Sequence, residues 1–177
     1  MATETKPWTL QELDRLPDDG NRYEVVWGEL YVTPAPSNTH EMVAAELSRV
    51  LGPYVQANGL GIVLHPRAVI QRQKSQLEPD LMVRARWRSN NERWVDAPLP
   101  ILVVEVLSAT THWRDVGRKR EFYMAVGVPE YWMVDPRSRS VTVVRQGRED
   151  EVMRERLSWQ PAGAAEALEI ELAEVFG

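Results

Sequence analysis

Ile101-Leu102-Val103-Val104-Glu105-Val106-Leu107 is an unbroken aliphatic run with a single acid set into it. A strand at the centre of a sheet has this character, because neither of its faces meets water. An isolated carboxylate there would be costly to ionise, so Glu105 needs a cation, a metal ion or a network of donors. Just upstream, Glu78-Pro79-Asp80-Leu81-Met82-Val83 sets a second acid, Asp80, at the head of another short apolar run. Two acids at strand level in a chain this small suggest a divalent-metal site.

The segment after the Glu105 strand supplies a cation. A helix is predicted from about His112 to Val126, stopping at Gly127. At helical spacing, Lys119 shares its face with His112, Asp115, Val116, Phe122, Tyr123 and Val126. Arg114, Arg118 and Glu121 lie off that face. Lys119 therefore falls in the stripe expected to pack on the sheet, where carboxylates or a bound anion would have to meet it. The alternative is that its ammonium snorkels to the rim.

Asp80, Glu105 and Lys119 together suit the hydrolysis of phosphodiesters. Mg²⁺ or Mn²⁺ favours carboxylate and carbonyl oxygens, and the two acids with the carbonyl of Val106 could hold one. Such an ion acidifies water and stabilises charge building on phosphorus, while an ammonium orients the water. A buried Asp–Glu–Lys cluster without catalysis is the other reading of the same residues.

Around this centre the chain alternates helix and strand. Thr9 and Glu12 form a capping box for a short helix. Tyr23–Val32 has the pattern of a hairpin turning at Gly28, with only Gly28 expected at positive φ because Trp27 would be strained there. A longer helix is predicted from about Thr39 to Ala57, stopped by Asn58-Gly59. Strands are expected near 61–71, 80–84, 101–107, 130–135 and 140–144, with a polar loop or flap over 85–99. One or two further strands and a short helix should close the tail. The expectation is an α/β fold around one mixed β-sheet flanked by helices, forming a single domain over residues 1–177.

Bulk properties limit the function. The chain has 177 residues, 44% of them hydrophobic and 27% charged, which suits one globular core. Without cysteine there can be no disulfide, thiolate metal site or thiol nucleophile, and a reducing cytoplasm is the expected compartment. No run approaches the length of a membrane span, and Met1–Lys6 lacks signal-peptide character. The net charge is −5, against a protein that coats nucleic acid. Yet residues 60–148 carry 15 basic and 9 acidic side chains, a balance of +6 between acidic ends that could steer a polyanion. An ordinary solvated surface has the same arithmetic. No recognition helix, zinc finger or aromatic–basic platform is evident from the sequence.

Four blocks in order carry a family resemblance: Glu78-Pro79-Asp80-Leu81, Val104-Glu105-Val106-Leu107-Ser108, Asp115-Val116-Gly117-Arg118-Lys119 and Gly127-Val128-Pro129-Glu130-Tyr131-Trp132-Met133-Val134-Asp135-Pro136. They resemble the Uma-type restriction endonucleases, a bacterial branch of the PD-(D/E)XK nucleases, over nearly the whole chain. The resemblance implies a restriction-endonuclease-like core and an endonuclease acting on DNA with Mg²⁺ or Mn²⁺. It implies that Asp80 and Glu105 are metal ligands and that Glu24 joins the acids, directly or through water. The superfamily lysine usually stands two residues after the second acid. That position is Leu107 here, and the resemblance moves the role to Lys119, the residue the helix face also picks out.

Other positions have less defined parts. Tyr123 is a candidate to hydrogen-bond the cluster or simply to pack. Asp115 is read as structural, capping its helix or pairing with Lys119. His40 is a candidate helix cap or substrate contact, with capping preferred. Arg84, Arg86, Arg88, Arg114, Arg118 and Arg120 are candidates for phosphate contacts. Nucleases of this class often work as homodimers, for which Trp87, Trp94 and Trp113 could supply an interface.

Overall fold

A computed structural model describes residues 6–87, 93–108 and 114–177, the side chains of 114–116 excepted. The elements in chain order are α1 (Leu10–Leu13), β1 (Arg22–Val26), β2 (Glu29–Thr33), α2 (Asn38–Ala57), β3 (Ile62–Leu64), β4 (Ile70–Arg72), β5 (Ser75–Leu77), β6 (Leu81–Arg84) and β7 (Leu102–Val106). They continue with α3 (Arg114–Val126), β8 (Glu130–Asp135), β9 (Ser140–Arg145), β10 (Glu151–Met153), β11 (Arg156–Trp159), β12 (Leu168–Glu171) and α4 (Leu172–Phe176). The α/β class and the mixed central sheet are as the sequence implied. The Thr9–Glu12 capping box is formed.

β7 lies inside a six-stranded sheet of order β10-β9-β8-β7-β6-β3, and all five of its residues are buried. It pairs antiparallel with β6 and parallel with β8. The parallel pair needs a crossover, which α3 supplies. Alternation then sorts the side chains. Leu81, Val83, Leu102, Val104 and Val106 join the core under α2, with Val43, Leu47, Leu51 and Val55. Met82 and Val103 point the other way, into a second core with Phe122 and Tyr123 of α3 and Val26 of β1.

In place of the single sheet expected from the sequence, the described residues form three. The β1–β2 hairpin belongs to a separate four-stranded antiparallel sheet of order β2-β1-β5-β4, and β11 pairs with β12 alone. The stretch 61–71 is also not one strand. After β3 the chain turns through Pro66 and Arg67, the latter at φ 64°, and re-enters as β4 in the other sheet. Its first strand starts from a tight contact: a Cβ on Gly61, at φ +130°, would fall 2.0 Å from the Arg84 carbonyl oxygen.

The β1–β2 turn departs from expectation too. Val26 pairs with Glu29, and both loop residues are left-handed, Trp27 at φ 47° and Gly28 at φ 85°. A two-residue loop of this handedness matches the right-handed twist of its strands, and that match outweighs the strain on Trp27. The turn is held in place by the Trp27 N–H, which donates to Ser75 Oγ at 2.9 Å.

Candidate acid–lysine site

Leu81 pairs with Val104, so one step along the antiparallel register sets Asp80 opposite Glu105. By the same alternation both side chains face α3 and the smaller sheet. The Val106 N–H reaches across and donates to Asp80 Oδ2 at 2.8 Å.

Residues from three further elements, β1, α3 and α2, close on this pair. From β1, Arg22 Nη2 donates to Asp80 Oδ1 at 2.8 Å and Nη1 to the Glu78 carbonyl at 2.7 Å. Glu24, two residues on and therefore on the same strand face, accepts the Glu78 N–H at 2.8 Å through Oε1. Its Oε2 lies 2.7 Å from Lys119 Nζ, which is also 3.1 Å from Glu105 Oε1. Tyr123, one turn beyond Lys119, donates its hydroxyl to the same Glu105 oxygen at 2.6 Å. From α2, His40 Nε2 lies 3.0 Å from Asp80 Oδ2. Glu24, Asp80, Glu105 and Lys119 are each at most 7% exposed.

Electrostatics follow from three buried carboxylates sharing two fixed cations. Burial opposes the ionisation of Asp80, but His40 and Arg22 outweigh it and hold its pKa at about 2. Glu105 goes the other way: burial pushes it up to about 7, Lys119 only partly opposing and Asp80 and Glu24 adding to the rise. Burial would lower Lys119, yet Glu105 and Glu24 carry it above the ordinary lysine value. For His40 burial is likewise outweighed, by Asp80, and its pKa is raised.

The four residues singled out as catalytic thus lie within one buried network. Tyr123 bonds to it as well as packing. His40 does not cap α2; Ser37 does, its side chain accepting the His40 N–H, and the buried ring turns to Asp80. Arg22 was missed. The signal available was its place two residues before Glu24, on one face of the same strand.

The proposed phosphate contacts scatter. Arg84 is buried under Trp94 and bonds the Val69 carbonyl, so it does not face solvent. Arg120 is ion-paired with Asp150 at 2.7 Å. Arg118 is half-exposed and pairs with Glu29 and Glu121. Arg86 is exposed. Arg88, His112 and Trp113 lie outside the described residues, as do the side chains of Arg114, Asp115 and Val116. Trp87 and Trp94 are half-buried, whereas the exposed indoles are Trp8 and Trp27. A cavity of about 300 Å³ opens beside the network, lined by His40, Leu107, Ser108 and Arg137 among others.

Among the described residues, no three histidine, aspartate or glutamate side chains stand arranged to enclose an ion. The reason is visible: each acid is turned toward a cationic or N–H donor. The donor chemistry still fits Mg²⁺ or Mn²⁺, because Asp80 and Glu105 offer hard oxygens side by side. Burial, with Asp80 and Glu24 nearby, lifts the Glu105 pKa, so an adjacent cation would relieve the cost of ionising it. Val106 meets Asp80 through its backbone N–H.

A family profile described as "Uma2: Putative restriction endonuclease" matches residues 10–173. A crystal structure from Anabaena variabilis ATCC 29413, titled as that of a "putative nuclease", superposes with a TM-score of 0.81 at 24% identity. The match covers 96% of this chain and 98% of that one and shows a shared fold. No curated protein matches the chain. Among the described residues, no helix is long and apolar enough to cross a membrane.

Proposed function

The chain belongs to the Uma2 restriction-endonuclease family, and from that premise we propose that it is a metal-dependent endonuclease hydrolysing DNA phosphodiester bonds. The observation that carries this reading is the convergence of Glu24, Asp80 and Glu105 on Lys119 and Arg22 in a buried network. A purely structural role is a poor account of three acids so placed, since desolvating them is expensive and hydrophobic residues would serve packing better.

Asp80 and Glu105 would hold a divalent ion, with the Val106 carbonyl as a further oxygen. When bound, the ion supplies Lewis-acid stabilisation of the charge that develops on the phosphoryl oxygens. Arg22, His40 and the Val106 N–H hold Asp80 in its ionised form and fix its direction. Tyr123 fixes Glu105. Lys119 keeps a positive charge between Glu24 and Glu105, from where its ammonium can orient the attacking water and meet a developing anion. Of the candidate phosphate contacts, Arg118 and Arg114 begin the helix that carries Lys119 and remain in the proposal.

A second reading has its own observation. Both oxygens of Asp80 and both of Glu24 are already engaged, and Leu107 stands where related nucleases carry a lysine. On this view the protein keeps the nuclease fold and binds DNA without cutting it. Nicking of supercoiled plasmid in Mg²⁺ or Mn²⁺ separates the two, comparing wild type with Asp80→Asn, which preserves shape beside Arg22. Cutting by wild type alone supports the endonuclease. Equal behaviour of the two proteins rejects it.

A further inference from the structure

A second site forms where two hairpin tips meet the segment before α1. The Trp8 N–H donates to the Gly28 carbonyl at 2.8 Å, and a Cβ on Gly28 would lie 2.6 Å from that of Pro7. That contact seats Pro7 and Trp8 on the β1–β2 tip. The tip of β4–β5, with Gln73 at φ 48° and Lys74 at φ 61°, closes the other side. Together they line a cavity of about 730 Å³ whose walls include Trp8, Trp27, Gln73 and Lys74. Trp8 and Trp27 are 37% and 38% exposed, so each indole offers an open surface.

The Trp27 ring is held in a defined orientation. Its Nε1 donates to Gln73 Oε1 at 3.4 Å, its ring meets Phe122 at 6.1 Å between centroids, and the Arg118 guanidinium lies over one face of the ring, 5.8 Å from its centre. Left-handed backbone strains a tryptophan, whereas asparagine would occupy that position freely. The strain therefore maintains a half-exposed, fixed indole rather than a buried one. Lys74, exposed at the neighbouring tip, forms no ion pair among the described residues. Arg118, in contrast, is shared with Glu29 and Glu121.

The cavity adjoins the acid–lysine network along two elements. Trp27 follows Glu24 by three residues, a span of roughly 10 Å in extended chain. Phe122, which touches Trp27, follows Lys119 by three on α3, within about a turn. A strand of nucleic acid whose phosphate lay at the network would bring a neighbouring base within reach of these indoles.

We propose that this cavity is a stacking platform for single-stranded nucleic acid, with Trp27 and Trp8 receiving base faces and Lys74 the adjacent phosphate. Bases in a duplex cover one another's faces, so the platform selects unpaired strands: ends, flaps or melted regions. The inference extends the nuclease reading by naming the form of substrate held beside the network. Its test runs without metal, so the two stand or fall separately.

The experiment is fluorescence anisotropy of labelled oligothymidylate, oligouridylate and a hairpin duplex with the full chain in EDTA. Wild type should bind the single strands more tightly than the duplex, and the two single-stranded probes show whether deoxyribose or ribose is preferred. Trp27→Asn and Trp8→Ala should each weaken binding by about tenfold, in line with the loss of one stacking contact. Lys74→Glu should weaken it and flatten its salt dependence. Because asparagine accepts the left-handed turn, Trp27→Asn should melt at or above the wild-type temperature, which separates lost binding from lost folding. Equal oligonucleotide binding by wild type and Trp27→Asn would overturn the platform, as would tighter binding of the duplex or displacement of the strand by a proline-rich peptide. Plasmid nicking that persists without single-strand binding removes the platform and leaves the nuclease. Single-strand binding without nicking does the reverse.

Discussion

Glu105→Gln should stabilise the metal-free protein, and by an amount that depends on pH. Burial lifts the Glu105 pKa from 4.5 to about 7, so the folded state holds a proton that the unfolded chain has released. A group shifted in this direction contributes its stability below pH about 4.5 and loses it as pH rises through about 7. The rise from 4.5 to about 7 corresponds to roughly 3 kcal/mol lost by pH 8, at about 1.4 kcal/mol per pH unit. Glutamine imitates the protonated acid: its Oε1 can still accept from Lys119 and Tyr123, and Lys119 keeps Glu24. The variant should therefore match wild type near pH 4.5 and exceed it by up to about 3 kcal/mol at pH 8. Urea unfolding followed by tryptophan fluorescence in EDTA, at half-unit steps from pH 4.5 to 8, measures the difference directly. Asp80, held at about 2 in the folded protein, stays ionised across this range and adds no slope of its own. A difference that stays constant with pH, or a variant less stable at pH 8, would refute the electrostatic account. If Glu105 is also a metal ligand, added Mn²⁺ should stabilise wild type by mass action and leave the variant unmoved.

Lys119→Met should destabilise the protein by about 3–5 kcal/mol above pH 7, because it leaves Glu24 and Glu105 buried without their shared ammonium. Adding Glu105→Gln should recover part of the loss, and strict additivity in a double-mutant cycle would show that the two groups are not coupled. In activity, Lys119→Ala should lose cleavage rate more than Mn²⁺ affinity; equal losses would assign the lysine to holding the cluster together. Gly61→Ala should cost about 1–3 kcal/mol or more, since its Cβ would enter the Arg84 carbonyl and the backbone must shift. A melting temperature within two degrees of wild type, roughly the effect of a sub-kcal/mol change at this size, would contradict that contact.

The sequence was informative wherever a local rule with a large energy behind it applied. An acid in a strand with no exposed face must be compensated, so Glu105 was legible alone, and Asp80 by its place at the head of the next such run. Helical spacing turned Lys119 inward for the same reason. Glu24 was not legible in this way: on its own it passes for an exposed strand residue, and only family resemblance joined it to the others. Arg22 escaped, and His40 was read first as a helix cap, because nothing near either in sequence indicates a partner. Their bonds to Asp80 span 58 and 40 residues and exist only because β1 and α2 both begin beside the residue that precedes β6. The turn at Trp27 was misjudged by a local rule, the strain of a left-handed aromatic, which the twist of the whole hairpin overrode.

The amino-acid order alone determined the succession of helices and strands, the buried acids and the inward lysine, because hydrophobic period and the cost of burying charge act over a few residues. The tertiary structure decided which sheet each short strand joined and which cations met which carboxylates. It also gathered Trp8, Trp27 and Lys74 around one cavity, an aromatic–basic surface invisible along the chain. Those outcomes depend on closing loops of tens of residues into one packing arrangement, and no local preference encodes which distant groups will meet.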